Sequence, residues 1–183
     1  MQPMSEQIDS RMLRDAFGAF PTGVVAVAAQ VDGRLLGLAA SSFTSVSLEP
    51  PLVSFSVAKG STTWPELRRA EHLGVTVLAE DHGALCRQLA GPAQERFTGV
   101  TVEITDSGAV MIAEGIAQYD CTLREEFEAG DHVIILLHLR GFVADSSGKP
   151  LIFHRSEFGR LAVGGIDIAR SPGLMTTGTS RPG

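Results

Sequence analysis

Hydroxyl side chains are concentrated in one stretch of the sequence, between Leu38 and Val57. Five of them fall within seven positions: Ser41, Ser42, Thr44, Ser45 and Ser47. A hydroxyl both donates and accepts hydrogen bonds and occupies little volume. The apolar run over 52–57 is typical of a buried strand, so the cluster lies beside a predicted β core. It would suit a flat polar ligand with a phosphate tail; the alternative is a serine-rich strand end and turn.

The segment that follows this strand is the best candidate for binding an anion. It places several donors just before a predicted short helix: Ser56, Lys59, Ser61, Thr62 and Thr63. Free backbone N–H groups and the helix dipole favour a phosphate at such a position. The alternative is a capped helix with a solvated lysine, because Thr63 and Glu66 have the spacing of a capping box. The spacing of a Walker phosphate loop is missing.

Three further positions could contact a ligand. His132 follows a Gly-Asp pair and precedes a predicted long strand, where a histidine can titrate near neutral pH; the alternative is an ordinary surface histidine. His154 and Arg155 end the last predicted strand and could bind an anion or form a salt bridge across the sheet. Trp64, the single tryptophan, could stack on a ring system or pack on the sheet.

Residue patterns for autonomous catalysis are missing from the sequence. We find no nucleophile elbow, no HExxH motif, no paired carboxylates and no GxGxxG motif, so catalysis would need a cofactor. Cys86 and Cys121 lie far apart, in no metal or redox spacing, and are predicted to be reduced core residues. The histidines have no ligand spacing either, so we predict no metal site.

Length and charge exclude several classes of protein. A chain of 183 residues predicts one domain with a core of useful size. The net charge of −6, without a run of Lys and Arg, argues against a nucleic-acid partner. No apolar stretch is long enough to span a bilayer, and the N-terminus lacks a signal-peptide core. We therefore expect a cytoplasmic protein without membrane contacts.

The predicted elements that position these residues are mostly antiparallel strands. An amphipathic helix runs from Ile8 to Phe20, with Asp9 or Ser10 as its cap. A two-residue Asp32-Gly33 turn between apolar runs over 24–31 and 35–40 predicts a β-hairpin. Three strands in succession without a crossover helix favour an antiparallel sheet or barrel over a Rossmann fold.

The rest of the chain continues this pattern to about residue 161. The sequence predicts, in order, a short helix ending near Ala70, a strand over 73–79, a helix from Asp81 to Ala90, β-structure over 100–105 and 109–121, a loop over 129–132, a strand over 133–143, and a strand over 151–155 with a closing segment over 157–161. The total is seven to nine strands and about three helices. From residue 162 onward Gly, Ser, Thr and Pro dominate, which predicts a tail that is flexible or ordered only against a partner subunit.

Six segments, in the right order, resemble the short-chain flavin reductases, the reductase components of two-component flavin monooxygenases. They are LRDAFGAFPTGVVAV, LAASSFTSVSLEPPLVSFSV, KGSTTWPEL, ERF, AGDHV and PLIFHRSEFGRL. The resemblance covers a domain over 10–161, flanked by flexible segments over 1–9 and 162–183. It implies a mainly β fold with a few helices, the FMN-binding split β-barrel, in a homodimer with flavin sites near the subunit interface.

The resemblance also implies roles for individual residues. The flavin would be held by Thr22, Gly23, Ser41, Ser42, Ser45, Val46, Ser47, Ser56, Lys59, Ser61, Thr62, Trp64 and Arg96. His132, the one residue assigned to catalysis, would lie against the nicotinamide, with Phe153, His154 and Arg155 beside it. Hydride would pass from NADH or NADPH to the flavin, and the reduced flavin would diffuse to a separate monooxygenase.

Several alternatives stay open at this stage. We favour FAD, with FMN accepted, and favour NADH because the sequence has no clear arginine pair for a 2′-phosphate. One alternative function is a flavoprotein oxidase of the pyridoxamine-phosphate-oxidase type, which would keep its flavin. Another is a non-catalytic flavin- or haem-binding module of the same barrel.

Overall fold

The structure, a computed structural model, describes residues 9–161, which form three helices and twelve strands. The helices are α1 (Ser10–Phe17), α2 (Trp64–Leu67) and α3 (Gly83–Leu89). The strands are β1 (Thr22–Gly23), β2 (Val25–Val31), β3 (Arg34–Ala40), β4 (Thr44–Leu48), β5 (Pro51–Ala58), β6 (Leu73–Val77), β7 (Val102–Ile104), β8 (Val110–Ile112), β9 (Ala117–Ala129), β10 (His132–Ala144), β11 (Ile152–His154) and β12 (Glu157–Gly159). The ends expected to be flexible lie outside the described residues, except Asp9.

The strands form one large antiparallel sheet and two small ones, which confirms the predicted mainly β, antiparallel class. The large sheet has the order β3-β2-β6-β9-β10-β5-β4. The small sheets are β1-β11-β12 and β7-β8. Every named strand pair is antiparallel, as expected for a chain whose strands are joined without crossover helices.

The predicted Asp32-Gly33 hairpin is confirmed. Val31 pairs with Arg34 across a two-residue turn, and Asp32 and Gly33 have φ angles of 50° and 75°. Two consecutive positive φ angles define the turn whose twist matches that of paired strands. This turn sets the register of β2 against β3.

Two hydrophobic clusters form the core. The first lies on the inner face of the large sheet and includes Phe55, Leu73 and Ile135, all at most 1% exposed. The second lies between the sheet, α3 and the β11–β12 hairpin and includes Leu89 and Leu151. Each buried side chain of this size stabilises the fold by about 1.5–3 kcal/mol. The second cluster attaches the small β1-β11-β12 sheet to the rest of the protein.

Some predicted strand boundaries are wrong. Part of the serine cluster, for which no separate strand was predicted, forms the edge strand β4, and Thr22–Gly23, predicted as a turn, forms β1. The single strand predicted over 109–121 is divided into β8 and β9, with a turn at Glu114, whose φ is 61°. Strand β9 then continues to Ala129, through charged residues that conceal its two-residue period. Strand β9 extends this far because it pairs with β10 over its whole length.

Helix starts follow local hydrogen bonds; Thr63 holds the predicted cap position of α2 without the predicted hydrogen bond, and the Asp81 cap is wrong. Asp9 caps α1, accepting a hydrogen bond of 2.8 Å from the backbone N–H of Arg11. Thr63 makes no cap hydrogen bond; instead the Ser61 hydroxyl accepts from the backbone N–H of Trp64, at 3.2 Å. The cap position of α3 is His82 rather than Asp81. None of these helices, in the part of the chain described, is long and apolar enough to cross a membrane.

Gly74 on β6 permits a close approach of the backbone of β8, and its replacement should destabilise the fold. An added Cβ would lie 2.1 Å from the carbonyl oxygen of Val110, which cannot move without disturbing its own strand. We expect Gly74→Ala to lower the free energy of unfolding by about 3 kcal/mol, measured by urea denaturation. Gly141→Ala is the matched control, because a Cβ there meets no atom within 4 Å. Equal stability of the two variants would contradict the close packing of β6 on β8.

Candidate functional site

Two adjoining cavities lie beside the end of β3, and together they form the largest cleft that gathers predicted site residues. The α1 cavity, of about 310 Å³, lies between α1 and the β11–β12 hairpin. The α3 cavity, of about 230 Å³, lies between α3 and the same hairpin. Ser41 and Phe153 line both, so the two cavities adjoin. Thr22 and Arg155 also line the α1 cavity, so four predicted residues meet here.

Backbone pairing places these four residues together. Thr22 pairs with Phe153, and Gly23 with Ile152, so β1 lies against β11. Arg155 and its neighbour have φ angles of 49° and 64°, the left-handed turn that joins β11 to β12. The backbone N–H of Arg155 donates to the carbonyl of Gly18 at 3.0 Å, which joins the end of α1 to this turn.

The Thr22 hydroxyl gives this cleft the character of a binding site. Its oxygen is buried and has no hydrogen-bond partner among the described residues. Leaving a buried hydroxyl unpaired costs about 1–3 kcal/mol, which a ligand with a donor or acceptor would recover. Beside Phe153 and Ser41, this hydroxyl suits the polar edge of a flat ring such as a flavin.

The α3 cavity is mainly apolar and contains no reactive nucleophile. Phe158 packs against Phe153 with ring centroids 5.6 Å apart, and the Arg87 guanidinium lies 5.2 Å from the centre of the Phe158 ring. Cys86 lines this cavity, but burial raises the pKa of its thiol and the Arg87 charge only opposes that rise. Burial, together with the charge of Asp120, raises the pKa of the other cysteine, Cys121, to about 12. Both cysteines are free and buried, as predicted, and both stay protonated near neutral pH.

Ser42 connects the serine cluster to the predicted phosphate turn. Its hydroxyl accepts a hydrogen bond of 2.9 Å from the backbone N–H of Ser56 and donates to the carbonyl of the same residue at 3.3 Å. The side chain thereby extends the β4–β5 ladder by one position beyond Thr44. The hydroxyl of Ser42 is used within the protein, whereas Ser41 lines the cleft.

Lys59 and His132 meet at the turn between β9 and β10. The backbone N–H of Lys59 donates to the carbonyl of Asp131 at 2.9 Å, and its ammonium group forms an ion pair with Glu128. His132 Nδ1 lies 2.8 Å from Asp131 Oδ1, and this hydrogen bond, with the charge of His132, lowers the pKa of Asp131. His132 lines none of the cavities described above, so the chain on its own does not bring it to Phe153 and Arg155.

Arg96 and Thr62 line a third, smaller cavity of about 110 Å³ between β3 and the start of α2. The Arg96 guanidinium donates to the carbonyls of Gly91 and Gly37, at 2.9 Å and 2.8 Å, and to the Thr63 hydroxyl at 2.7 Å. It therefore holds the segment after α3 and the start of α2 against β3. These hydrogen bonds give Arg96 a structural task that the sequence did not indicate.

The indole of Trp64 lies in the core rather than at a binding surface. Trp64 is 6% exposed and meets the Phe55 ring edge-to-face with centroids 5.6 Å apart. Its Nε1 donates to Glu126 at 2.7 Å, and the same carboxylate forms an ion pair with Arg68. Of the two roles weighed for Trp64, the structure supports packing on the sheet, and the ring is not available to stack on a flavin.

The remaining predicted residues lie elsewhere on the surface. Ser45 and Ser47 pair with Val53 and Leu52 at the sheet edge, and the register shifts at Val46, which is 52% exposed. His154 pairs with Glu157 on the β11–β12 hairpin and forms no ion pair among residues 9–161. Within the same residues, no group of three or more His, Cys, Asp or Glu side chains is arranged to hold a metal.

Sequence reasoning missed the contribution of α1 to the cleft. Arg14, Phe17 and Phe20 all line the α1 cavity. Their three-residue spacing places them along one side of the helix and the turn that follows it. We predicted only an amphipathic helix over this segment, and no residue of α1 is buried. The sequence signal for this contribution was a basic residue among the aromatic residues of an amphipathic helix.

The family model that matches this chain and two of its relatives carry the name of a flavin reductase or a reductase subunit. Residues 17–162 match the family described as flavin reductase like domain. A flavin reductase from Pseudomonas putida is 38% identical over 156 residues, covering 85% of this chain and 92% of that protein. The reductase subunit HsaB of a flavin-dependent monooxygenase from Rhodococcus jostii (strain RHA1) is 31% identical over 154 residues, covering 84% of this chain and 79% of that protein.

A solved structure extends the similarity to the fold. The NADH:FAD oxidoreductase SgcE6 from Streptomyces globisporus C-1027, in complex with NAD and FAD fragments, is 32% identical with a TM-score of 0.80. The similarity covers 87% of this chain and 98% of that one. The family match spans most of the chain and includes every residue of the cleft except Arg14. The chain therefore belongs to the flavin reductase like domain family.

Proposed function

We propose that this protein is a flavin reductase that transfers hydride from NADH to FAD, with FMN also accepted, and releases the reduced flavin to a separate monooxygenase. The observation that carries the proposal is the cleft at the end of β3, where an unpartnered buried hydroxyl on Thr22 lies among aromatic rings. The reaction is inferred from the family, and the nucleotides NADH and FAD are inferred from the oxidoreductase of known structure described above. The domain that performs it comprises residues 10–161.

The task of the chain in this reaction is to bind and orient two nucleotides. A bound flavin supplies the redox chemistry, because its ring accepts the hydride that NADH gives up. Thr22, Gly23 and Ser41 would hold the flavin ring, and the cleft offers no thiolate that could react with it. Holding two reactants in contact lowers the barrier of the reaction without any acid or base, by roughly 7–11 kcal/mol at best.

The phosphate end of the flavin would bind at the turn around Lys59. Ser56, Ser61 and Thr62 complete this group, with Ser45, Val46 and Ser47 along the neighbouring edge strand. Lys59 would exchange its ion pair with Glu128 for the phosphate. Both side chains are largely exposed, and an exposed pair contributes only about 0–1 kcal/mol, so the exchange is easy. Easy exchange suits a flavin that must leave after reduction.

A homodimer of split β-barrels would complete the site. In a single chain, His132 and Lys59 lie at one turn, whereas Phe153, His154 and Arg155 lie at the β11–β12 hairpin. Ile134 pairs with Ser56 on one side and Phe127 on the other, so all three share one face of the sheet. Phe127 is 43% exposed and Ile134 is 37% exposed, as expected for residues that a second subunit covers.

The two other functions considered have no support among the relatives described. A flavoprotein oxidase would retain its flavin and act on an organic substrate, and a binding module would show no turnover with NADH. The relatives carry the names of reductases and of a reductase subunit. We therefore adopt neither alternative.

The first prediction concerns the need for added flavin. We expect the purified protein, freed of bound flavin, to oxidise NADH only when FAD or FMN is added, with a rate that saturates as flavin increases. FAD should reach half-saturation at the lower concentration. The measurement is the loss of NADH absorbance over time. Tight binding of a flavin without any turnover would overturn the proposed reaction.

The second prediction concerns His132. If this side chain lies against the nicotinamide, His132→Ala should raise the KM for NADH about tenfold and leave the Kd for flavin within about twofold. His72→Ala, at a side chain that contacts Asp120 beside β6 and lines no cavity described above, is the control and should change neither constant. Steady-state kinetics and flavin fluorescence provide the two readouts. An unchanged KM for NADH would remove His132 from the site.

The third prediction concerns the subunit interface. Ile134 lies between Ser56 and Phe127 on the face that the second subunit would cover. Ile134→Glu would bury a charge there without a partner, so this change should convert the dimer to a monomer. Ile104→Glu is the control, because Ile104 is 45% exposed on β7 and lies outside this face. Light scattering after size-exclusion chromatography gives the mass of each variant. A monomeric unmodified protein would contradict the homodimer.

A further inference from the structure

Two arginines from distant parts of the chain line the α1 cavity. Arg14 comes from the third position before the end of α1, and Arg155 from the turn between β11 and β12. Neither guanidinium forms an ion pair or a side-chain hydrogen bond with another residue in the described range 9–161. Both arginines are exposed residues at the rim of this cavity, and no carboxylate among residues 9–161 forms an ion pair with either.

The surroundings make these charges selective for an anion. No carboxylate lines the α1 cavity, although the whole chain has a net charge of −6. Like charges that share a cavity repel each other, and an anion between them removes that cost. A guanidinium binds phosphate with two parallel hydrogen bonds, which gives the contact direction as well as strength.

The rest of the cavity favours a ligand that also has a flat ring. Phe17 and Phe20 are 70% and 75% exposed, and both line the cavity together with Phe153. The Thr22 hydroxyl beside them is buried without a partner. Aromatic faces, a free hydroxyl and two guanidinium groups together match a nucleotide.

Contact between α1 and the hairpin brings the two arginines to the same cavity. The carbonyl of Gly18 accepts from the backbone N–H of Arg155. A Cβ on Gly18 would lie 3.4 Å from the Cα of Arg155 and 3.1 Å from the carbonyl oxygen of Arg14. The glycine thus allows the helix end to approach the turn closely. Since no residue of α1 is buried, this junction is what fixes the position of Arg14.

We propose that Arg14 and Arg155 form an anion site that binds a phosphate group of the nucleotide in the α1 cavity. The proposal rests on the proposed function and adds α1, through Arg14, to the binding machinery. The pyrophosphate of NADH and that of FAD have the same chemistry at this site. The experiment must therefore distinguish the two sources.

The test compares Arg14→Gln with Arg11→Gln, which removes the same charge from the same helix at a residue outside the cavity. We expect Arg14→Gln to weaken the binding of a phosphate-bearing ligand about tenfold and that of its phosphate-free analogue less than about twofold. The hydride donors are NADH and 1-benzyl-1,4-dihydronicotinamide, compared by KM. The flavins are FAD and riboflavin, compared by Kd from fluorescence quenching. Arg155→Gln should give the same pattern.

A selective loss of affinity for NADH would support the site and assign it to the nicotinamide nucleotide. A selective loss of affinity for FAD would support the site and assign it to the flavin. Arg14→Gln behaving like Arg11→Gln with every ligand would overturn the proposal. So would an equal loss for the phosphate-free analogues, which would mean that Arg14 only shapes the cleft. Thermal unfolding of each variant verifies that the fold is kept.

A titration with inorganic pyrophosphate separates this proposal from the proposed function. Calorimetry on the protein without flavin should show binding by the unmodified protein and by Arg11→Gln, and about tenfold weaker binding by Arg14→Gln. This result does not depend on turnover. If NADH oxidation failed while the pyrophosphate difference persisted, the reductase function would be wrong and the anion site would stand. Equal binding by all three proteins would remove the anion site alone.

Discussion

The pairing of β10 with β5 on one side and β9 on the other is the interaction on which the rest of the structure depends. Ile135 and Leu137 point into the core from this strand, and both are fully buried. Ile134, one residue before Ile135, points to the opposite face and is exposed beside Phe127. The same strand therefore supplies the centre of the core and the centre of the apolar outer face. Its first residue, His132, lies next to the turn that holds Lys59.

That arrangement explains why the candidate site is dispersed over a single chain. The large sheet brings Lys59 and His132 to one turn, and the small sheet brings Thr22 and Phe153 to the end of β3. Val57 and Val133, near the first group, belong to the first hydrophobic cluster, whereas Phe153 of the second group packs against the second cluster. A binding site made from both requires a surface that closes across them, which is the physical reason to consider a second copy of the chain.

Charge is distributed unevenly over these two groups. At the turn around Lys59, Glu128 and Asp131 neutralise the basic residues nearby. No carboxylate of the described residues lines the α1 cavity with Arg14 and Arg155. A ligand phosphate must therefore compete with a carboxylate at the first position and meets none at the second.

How much could be predicted from the sequence follows from the range of each signal. The Asp32-Gly33 hairpin, the Asp9 cap and most strands were predicted correctly because their causes lie within a few residues. Strand β9 was cut short, since its charged residues are held in a strand by β10 and not by local preference. The family was identified because six short segments keep their order along the chain, and order is a property of sequence.

The sequence by itself determined the antiparallel class, the turn chemistry and the family. Only the tertiary structure decided which residues share a cavity. Trp64 packs in the core on Phe55, and Arg96 is held by backbone carbonyls, because their neighbours are distant in sequence. Arg14 and Arg155 line the same cavity because the carbonyl of Gly18 accepts a hydrogen bond from the hairpin turn. Contacts of this kind depend on how elements pack, and no local spacing encodes them.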